Sequence, residues 1–188
     1  FSGVKNFASG GGSTTSVSGN ITTSGSQTYG GAVALTGTSV FTGTTANFAG
    51  GLDGGGNDLT LSFSGVATIG AGTFTNVDDL ISSGAGGTSL SGTITTSGSQ
   101  TYTNLVTLTG LTRLIGTTGT LSGGVAGGGN SLRLSFSAPT SLSGGTFSNI
   151  NALTDLPTYR LPAPGWVSIL HRVSGVLMFV LLPFIIWM

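Results

Sequence analysis

The chain repeats itself at a fixed distance, and that narrows its possible folds more than any other feature. Ser18-Gly-Asn-Ile-Thr-Thr-Ser-Gly-Ser-Gln-Thr-Tyr29 returns as Ser91-Gly-Thr-Ile-Thr-Thr-Ser-Gly-Ser-Gln-Thr-Tyr102, an offset of 73 in the numbering. The same offset relates Gly54-Gly-Gly-Asn57 to Gly127-Gly-Gly-Asn130, Leu61-Ser-Phe-Ser64 to Leu134-Ser-Phe-Ser137, and Gly72-Thr-Phe-Thr-Asn76 to Gly145-Thr-Phe-Ser-Asn149. Residues 18–80 align with 91–153 without a gap, and residues 1–17 continue the pattern as the end of an earlier copy. A period of this kind belongs to stacked arrays, in which each unit buries its apolar face against the next.

Within each copy the apolar residues alternate. Leu59, Leu61 and Phe63 recur as Leu132, Leu134 and Phe136. Short period-two runs bounded by Gly and Asn read as strands. Further runs of this type are Val33-Ala-Leu35, Val66-Ala-Thr-Ile69, Thr88-Ser-Leu-Ser-Gly-Thr-Ile94 and Val106-Thr-Leu108. Helices are disfavoured because Gly and β-branched Thr dominate and no 3.6-residue stripe is present. Glycine corners between short strands suit a β-solenoid, whose coils cover one another's edges. At roughly 18–25 residues per coil, each copy holds three or four coils. Phe63 with Phe136, and Asn57 with Asn130, then lie near each other only if the intervening coils preserve the face. A flexible Gly/Ser linker is the bland alternative, but a linker has no reason to keep Leu-x-Leu-x-Phe in register over this distance.

Charge and cysteine exclude several functions. Five basic and five acidic residues give a net charge of zero, with no cysteine. Lys5, Arg113, Arg133, Arg160 and Arg172 are scattered along the sequence and form no basic patch, which argues against nucleic-acid binding. Without cysteine there is no disulfide framework and no thiolate metal site. Residues 1–153 also contain no His or Glu, so no nucleophile there has a histidine or glutamate base and no catalytic residue is expected.

The segment Thr22-Thr-Ser-Gly-Ser-Gln-Thr-Tyr29 with Val33-Ala-Leu35, and its copy around Tyr102 and Val106-Thr-Leu108, resembles the β-strand repeats of filamentous-haemagglutinin-like and autotransporter-like bacterial surface proteins. The resemblance implies an exported, non-catalytic scaffold for adhesion or display, at the cell surface or secreted. Asp53-Gly-Gly-Gly-Asn57-Asp58 is similar to the glycine/aspartate turns that bind calcium in repeat-in-toxin proteins, since calcium needs clustered oxygen ligands. Its second copy has Ala126, Asn130 and Ser131, so both carboxylates vanish and a solvated turn is the better reading. Asp78-Asp79 becomes Asn151-Ala152, and the sequon Asn20-Ile-Thr22 becomes Thr93-Ile-Thr95. The first change argues against a paired-carboxylate site, and the sequon by itself carries little weight.

After residue 153 the grammar changes. Residues 154–164 form a Pro-rich connector containing Pro157, Pro162 and Pro164, and an apolar segment, 165–188, follows. Pro164 is placed to precede a helix start. A bilayer core needs about 20 apolar residues in a helix; from Val173 onward only sixteen residues are present, so the span is shallow or cut short. Trp166 and Trp187 fall where interfacial aromatics belong, and Pro183 would kink the helix. Ser168, His171 and Arg172 stand at i, i+3 and i+4 on one face. A cation beside an apolar helix either serves a ligand, such as a quinone carbonyl or a haem propionate, or snorkels to the interface.

Arg160-Leu-Pro162-Ala-Pro164 followed by Ser168-Ile-Leu-His171-Arg172-Val-Ser174-Gly175 resembles the first transmembrane helix of the cytochrome b membrane-anchor subunit of succinate dehydrogenase. The resemblance implies quinone-binding roles for Ser168 and Arg172 and a place near the haem propionates for His171. It also implies haem b and ubiquinone as cofactors. The second anchor, iron–sulfur and flavoprotein subunits and membrane lipid follow as partners, with the bacterial inner membrane as location. The later helices of that family are missing, and with them the axial haem histidine. The expected fold is therefore mainly β: a β-solenoid (β-helix-like) over 1–153, followed by a single, truncated C-terminal transmembrane α-helix.

The two halves disagree about sides. Arg160, His171 and Arg172 precede the apolar run, which places the N-terminal side in the cytoplasm, whereas a haemagglutinin-like repeat belongs outside. A chimeric gene fragment or a joining of two reading frames would produce this conflict, and so would a true fusion.

Overall fold

In the computed structural model, residues 2–70 and 73–155 are described, and they form a β-solenoid of about seven turns, within the unit Phe1–Thr158. The alternation in the sequence accounts for its strands. In Leu52–Phe63 the residues Leu59, Leu61 and Phe63 are buried, with Thr60 and Ser62 between them partly exposed. An inward β-branched or apolar side chain at every second position is what a half-buried strand requires.

Three ladders of parallel strands run along the solenoid. The first contains Phe7–Ser9, Gln27–Tyr29, Ala46–Phe48 and Ala67–Ile69, and continues through Leu90, Leu108 and Val125 to Phe147. The second passes through Val17, Val33, Leu52, Phe74, Ile94, Leu114 and Leu134. Its last rung is Leu153–Asp155, paired with Leu132, Arg133 and Leu134. The third contains Ile21, Phe41, Leu61, Ser82, Tyr102, Leu121 and Leu142. The step from coil to coil is uneven: it is short where Val17 pairs with Leu35 and longer where Leu52 pairs with Phe74.

These steps fix how the sequence repeat is used. At about 20 residues per coil, an offset of 73 makes about three and two-thirds turns, so each copy begins one face behind the copy before it. Tyr29 is on the first ladder and Tyr102 on the third, while Val33 is on the second and Val106 on the first. Phe63 pairs with Gly43 on the third ladder, and Phe136 pairs with Gly116 on the second. The condition for Phe63 to lie near Phe136, and Asn57 near Asn130, is therefore not met, because the intervening coils do not preserve the face. Local structure is nevertheless copied. The bent strand Val33–Gly43 turns a corner at a register shift near Gly37, and its counterpart Val106–Gly116 does so near Gly110, a different corner of the solenoid.

The interior is apolar and closely packed. Tyr29, Val33, Phe41, Phe48, Leu59, Phe74, Leu80, Leu90, Ile94, Tyr102 and Leu114 are fully buried, each contributing roughly 1.5–3 kcal/mol by transfer from water. Tyr29 and Phe48 stack at 4.8 Å with their planes 3° apart, close to the spacing of neighbouring strands. Phe7 and Phe41 flank Tyr29 at 5.4 and 5.6 Å, and Phe74 meets Phe48 edge-on at 5.4 Å. No helix among the described residues is long and apolar enough to cross a membrane. The expected transmembrane helix over 165–188 lies outside the described residues.

Candidate functional site

The repeated Thr-Thr-Ser-Gly-Ser-Gln-Thr-Tyr motif builds a buried polar clasp. Gln27 and Gln100 are almost wholly inaccessible. The Gln27 Nε2 donates to the Thr42 carbonyl at 2.9 Å, in the next coil, and to the Ile21 carbonyl at 3.2 Å and Thr23 Oγ1 at 3.3 Å. Its Oε1 accepts from the Tyr29 hydroxyl at 2.9 Å. Gln100 repeats this with Ile115, Ile94, Thr96 and Tyr102, at 2.8, 3.2, 3.3 and 3.1 Å. A buried amide costs heavily unless its donors and acceptor are matched, and both copies match them on different faces. Desolvation raises both tyrosine hydroxyls well above the ordinary phenol range. The clasp holds coils together and exposes no reactive group.

The Gly-Gly-Gly-Asn turns are held by asparagine rather than by carboxylate. The Asn57 Nδ2 donates to the Gly54 carbonyl at 2.9 Å, and the Asn130 Nδ2 to the Gly127 and Leu108 carbonyls at 3.1 and 3.0 Å. Gly55, Gly56, Gly128 and Gly129 all take positive φ, which side chains resist. Asp53 adds an Asx-type turn: its Oδ1 accepts from the Gly55 amide at 3.1 Å and from Asn76 at 3.0 Å, and these bonds hold its carboxyl below the usual range. The second turn keeps its shape with Ala126 in that place. Asp58, Asp78 and Asp79 bridge coils. The Asp58 Oδ1 accepts from the Asp79 amide, the Asp78 Oδ1 from Ser97 Oγ, and the Asp79 Oδ1 from the Ser99 amide and hydroxyl. The Ser99 amide and then its hydroxyl lower the Asp79 carboxyl. Among the described residues no group of three or more His, Cys, Asp or Glu is placed to hold a metal ion. Asn20 and Thr22 of the sequon are exposed on the strand Thr15–Thr22.

Folding corrects one reading of the sequence. Two of the arginines that look scattered in the chain, Arg113 and Arg133, are partners on adjacent rungs of the second ladder. Thr93 lies opposite Arg113 on the other side, and Thr154 is the rung beyond Arg133. With Gly92, Thr93, Leu111, Ser131 and Leu132 the two arginines line an open cleft of about 390 Å³. The Arg113 Nε is buried without a hydrogen-bond partner. In the first copy the corresponding residues are Val40 and Thr60, so the pair is particular to this position. The signal was a spacing of one coil, which is visible only once the coil length is known.

Ser168, His171 and Arg172, the quinone- and propionate-directed residues expected from the sequence, lie outside the described residues. No curated protein and no solved structure matches the chain. Residues 149–188, which begin inside the last coil and contain Ser168, His171 and Arg172, match the family model of the succinate dehydrogenase/fumarate reductase transmembrane subunit.

Proposed function

We propose that residues 149–188 are the membrane-entering segment of a succinate dehydrogenase-type anchor, carried by a chain whose β-solenoid is non-catalytic. The carrying observation is the family match over 149–188, which falls on the Ser168-x-x-His171-Arg172-x-Ser174-Gly175 motif. In this reading Ser168 and Arg172 bind ubiquinone. Quinone oxygens are acceptors, a hydroxyl and a guanidinium are donors, and i, i+4 spacing puts both on one helical face. His171 sits beside the haem propionates, where a cationic or donor side chain is favourable.

The residues present do not by themselves hold haem b. Axial ligation uses a histidine or a comparable ligand, His171 is the single histidine of these 188 residues, and the family resemblance gives it a different role. Haem would therefore depend on ligands outside these 188 residues, no step of this chain's own chemistry runs through it, and the anchor would work with partner subunits. Those partners are the second anchor, the iron–sulfur subunit and the flavoprotein. The positive-inside pattern places the solenoid on the cytoplasmic face of the inner membrane.

The test is photolabelling of the full chain in membranes with an azido-ubiquinone. Labelling is expected in the peptide 161–172 or 173–188. Arg172→Leu is expected to lower it roughly 10- to 100-fold, the worth of about 1.5–3 kcal/mol for a hydrogen bond to a charged group. Equal labelling of both proteins would remove the quinone role.

The seven-turn solenoid favours a second reading, a structural surface protein of adhesin type with no enzymatic activity. A β-rich particle that stays in solution without detergent would support it; a requirement for detergent supports the anchor.

A further inference from the structure

We propose that the Arg113–Arg133 cleft is a binding site for a doubly charged tetrahedral oxyanion, of the phosphate or sulfate type. Neighbouring strands of a sheet lie roughly 4.8 Å apart, and the two arginines are partners on such strands. Like charges side by side on a sheet repel. Thr93, the next rung beside Arg113, is neutral and offers it no countercharge. Arg113 and Arg133 both line the cleft, and no carboxylate stands among the described residues that line it.

A tetrahedral dianion answers this pairing of charge. It carries two charges for two guanidiniums. Its oxygens point along different edges, so each guanidinium can donate to its own pair. A carboxylate has one charge and two coplanar oxygens, and it would leave one guanidinium uncompensated. Thr93 and Ser131 add hydroxyl-bearing residues to the lining, and the cleft volume of about 390 Å³ is ample for such a group. The site is independent of the quinone reading, since it uses no residue beyond the solenoid.

Calorimetric titration of the full chain in detergent with inorganic phosphate, at pH 8 where the dianion predominates and at constant ionic strength, tests the proposal. Saturable binding is expected for the unaltered chain. Arg133→Gln is expected to weaken it at least fivefold without lowering the melting temperature in the absence of phosphate, because Arg133 is exposed and its loss relieves the repulsion with Arg113. Arg133→Lys, which keeps the charge and loses the fork, is expected to fall between. Acetate at the same concentration is expected to bind at least fivefold more weakly than phosphate. Absence of saturable binding, or phosphate affinity unchanged in Arg133→Gln, overturns the site. Equal affinity for acetate overturns its selectivity for a dianion.

Discussion

Gln100→Leu is expected to destabilise the solenoid by about 3–5 kcal/mol, because it orphans several buried groups at once. The side chain is inaccessible, and its Nε2 meets the Ile115 carbonyl, the Ile94 carbonyl and Thr96 Oγ1. Leucine offers no donor to the two carbonyls and no acceptor to the Tyr102 hydroxyl, which is itself buried. Each orphan costs roughly 1–3 kcal/mol, partly offset by the greater hydrophobicity of leucine. The Ile115 carbonyl belongs to the following coil, so the loss also loosens the stacking between coils. Gln27→Leu is expected to show a loss of the same size, since Gln27 makes the same four bonds on another face. Urea unfolding followed by circular dichroism measures both. A change below about 1 kcal/mol in either variant would contradict the clasp.

The second large effect is expected at Phe48. Phe48→Ala removes a fully buried ring that touches Tyr29, Phe41 and Phe74, at centroid distances of 4.8, 5.8 and 5.4 Å. Aromatic-to-alanine changes in close-packed cores cost about 3–5 kcal/mol through lost transfer energy and the cavity left behind. The rings belong to successive coils, so collapse into the cavity would require the backbone ladders to move together. Those ladders are fixed at strand spacing by their hydrogen bonds. The second copy has Leu121 at the equivalent position and Leu114 where Phe41 stands. Leu121→Ala is therefore expected to cost less than Phe48→Ala, within about 2–5 kcal/mol. A cost for Phe48→Ala below about 1.5 kcal/mol in the same unfolding experiment would mean that the stack is not close-packed.

The strands were legible because inward positions are marked by Leu, Val and Phe at period two. The run Leu59, Leu61, Phe63 is buried as the alternation predicts, and Val106-Thr-Leu108 opens the strand Val106–Gly116. The expected strand at Val66-Ala-Thr-Ile69 forms as Ala67–Ile69, and Val66 is exposed at its edge. Coil length was not legible, because one sequence repeat does not span a whole number of coils. Tyr29 and Tyr102 therefore point to different faces, and no inspection of one copy against the other reveals which rungs touch.

The same mismatch hid the Arg113–Arg133 pair, whose two residues read as isolated charges along the chain. Gln27 and Gln100 stand in the repeated motif without their burial being apparent. A glutamine in a Ser/Gly/Thr segment carries no hydrophobic signal, and one of its partners comes from the next coil. In the tail, the motif of Ser168, His171 and Arg172 falls within the family match, which begins at residue 149. Residues 149–155 belong at once to that match and to the last coil.

That overlap makes one peptide decisive. Trypsin cuts after Arg133 and Arg160, and the product 134–160 begins in the strand Leu132–Phe136 and ends in the proline-rich approach to the membrane motif. Mass spectrometry of a tryptic digest of the source cells' membrane fraction should find this peptide together with the upstream solenoid peptide 114–133. If 114–133 is recovered only from the soluble fraction and 134–160 from neither, the solenoid and the anchor segment do not share a chain in the cell, and the proposed membrane function belongs to a different polypeptide.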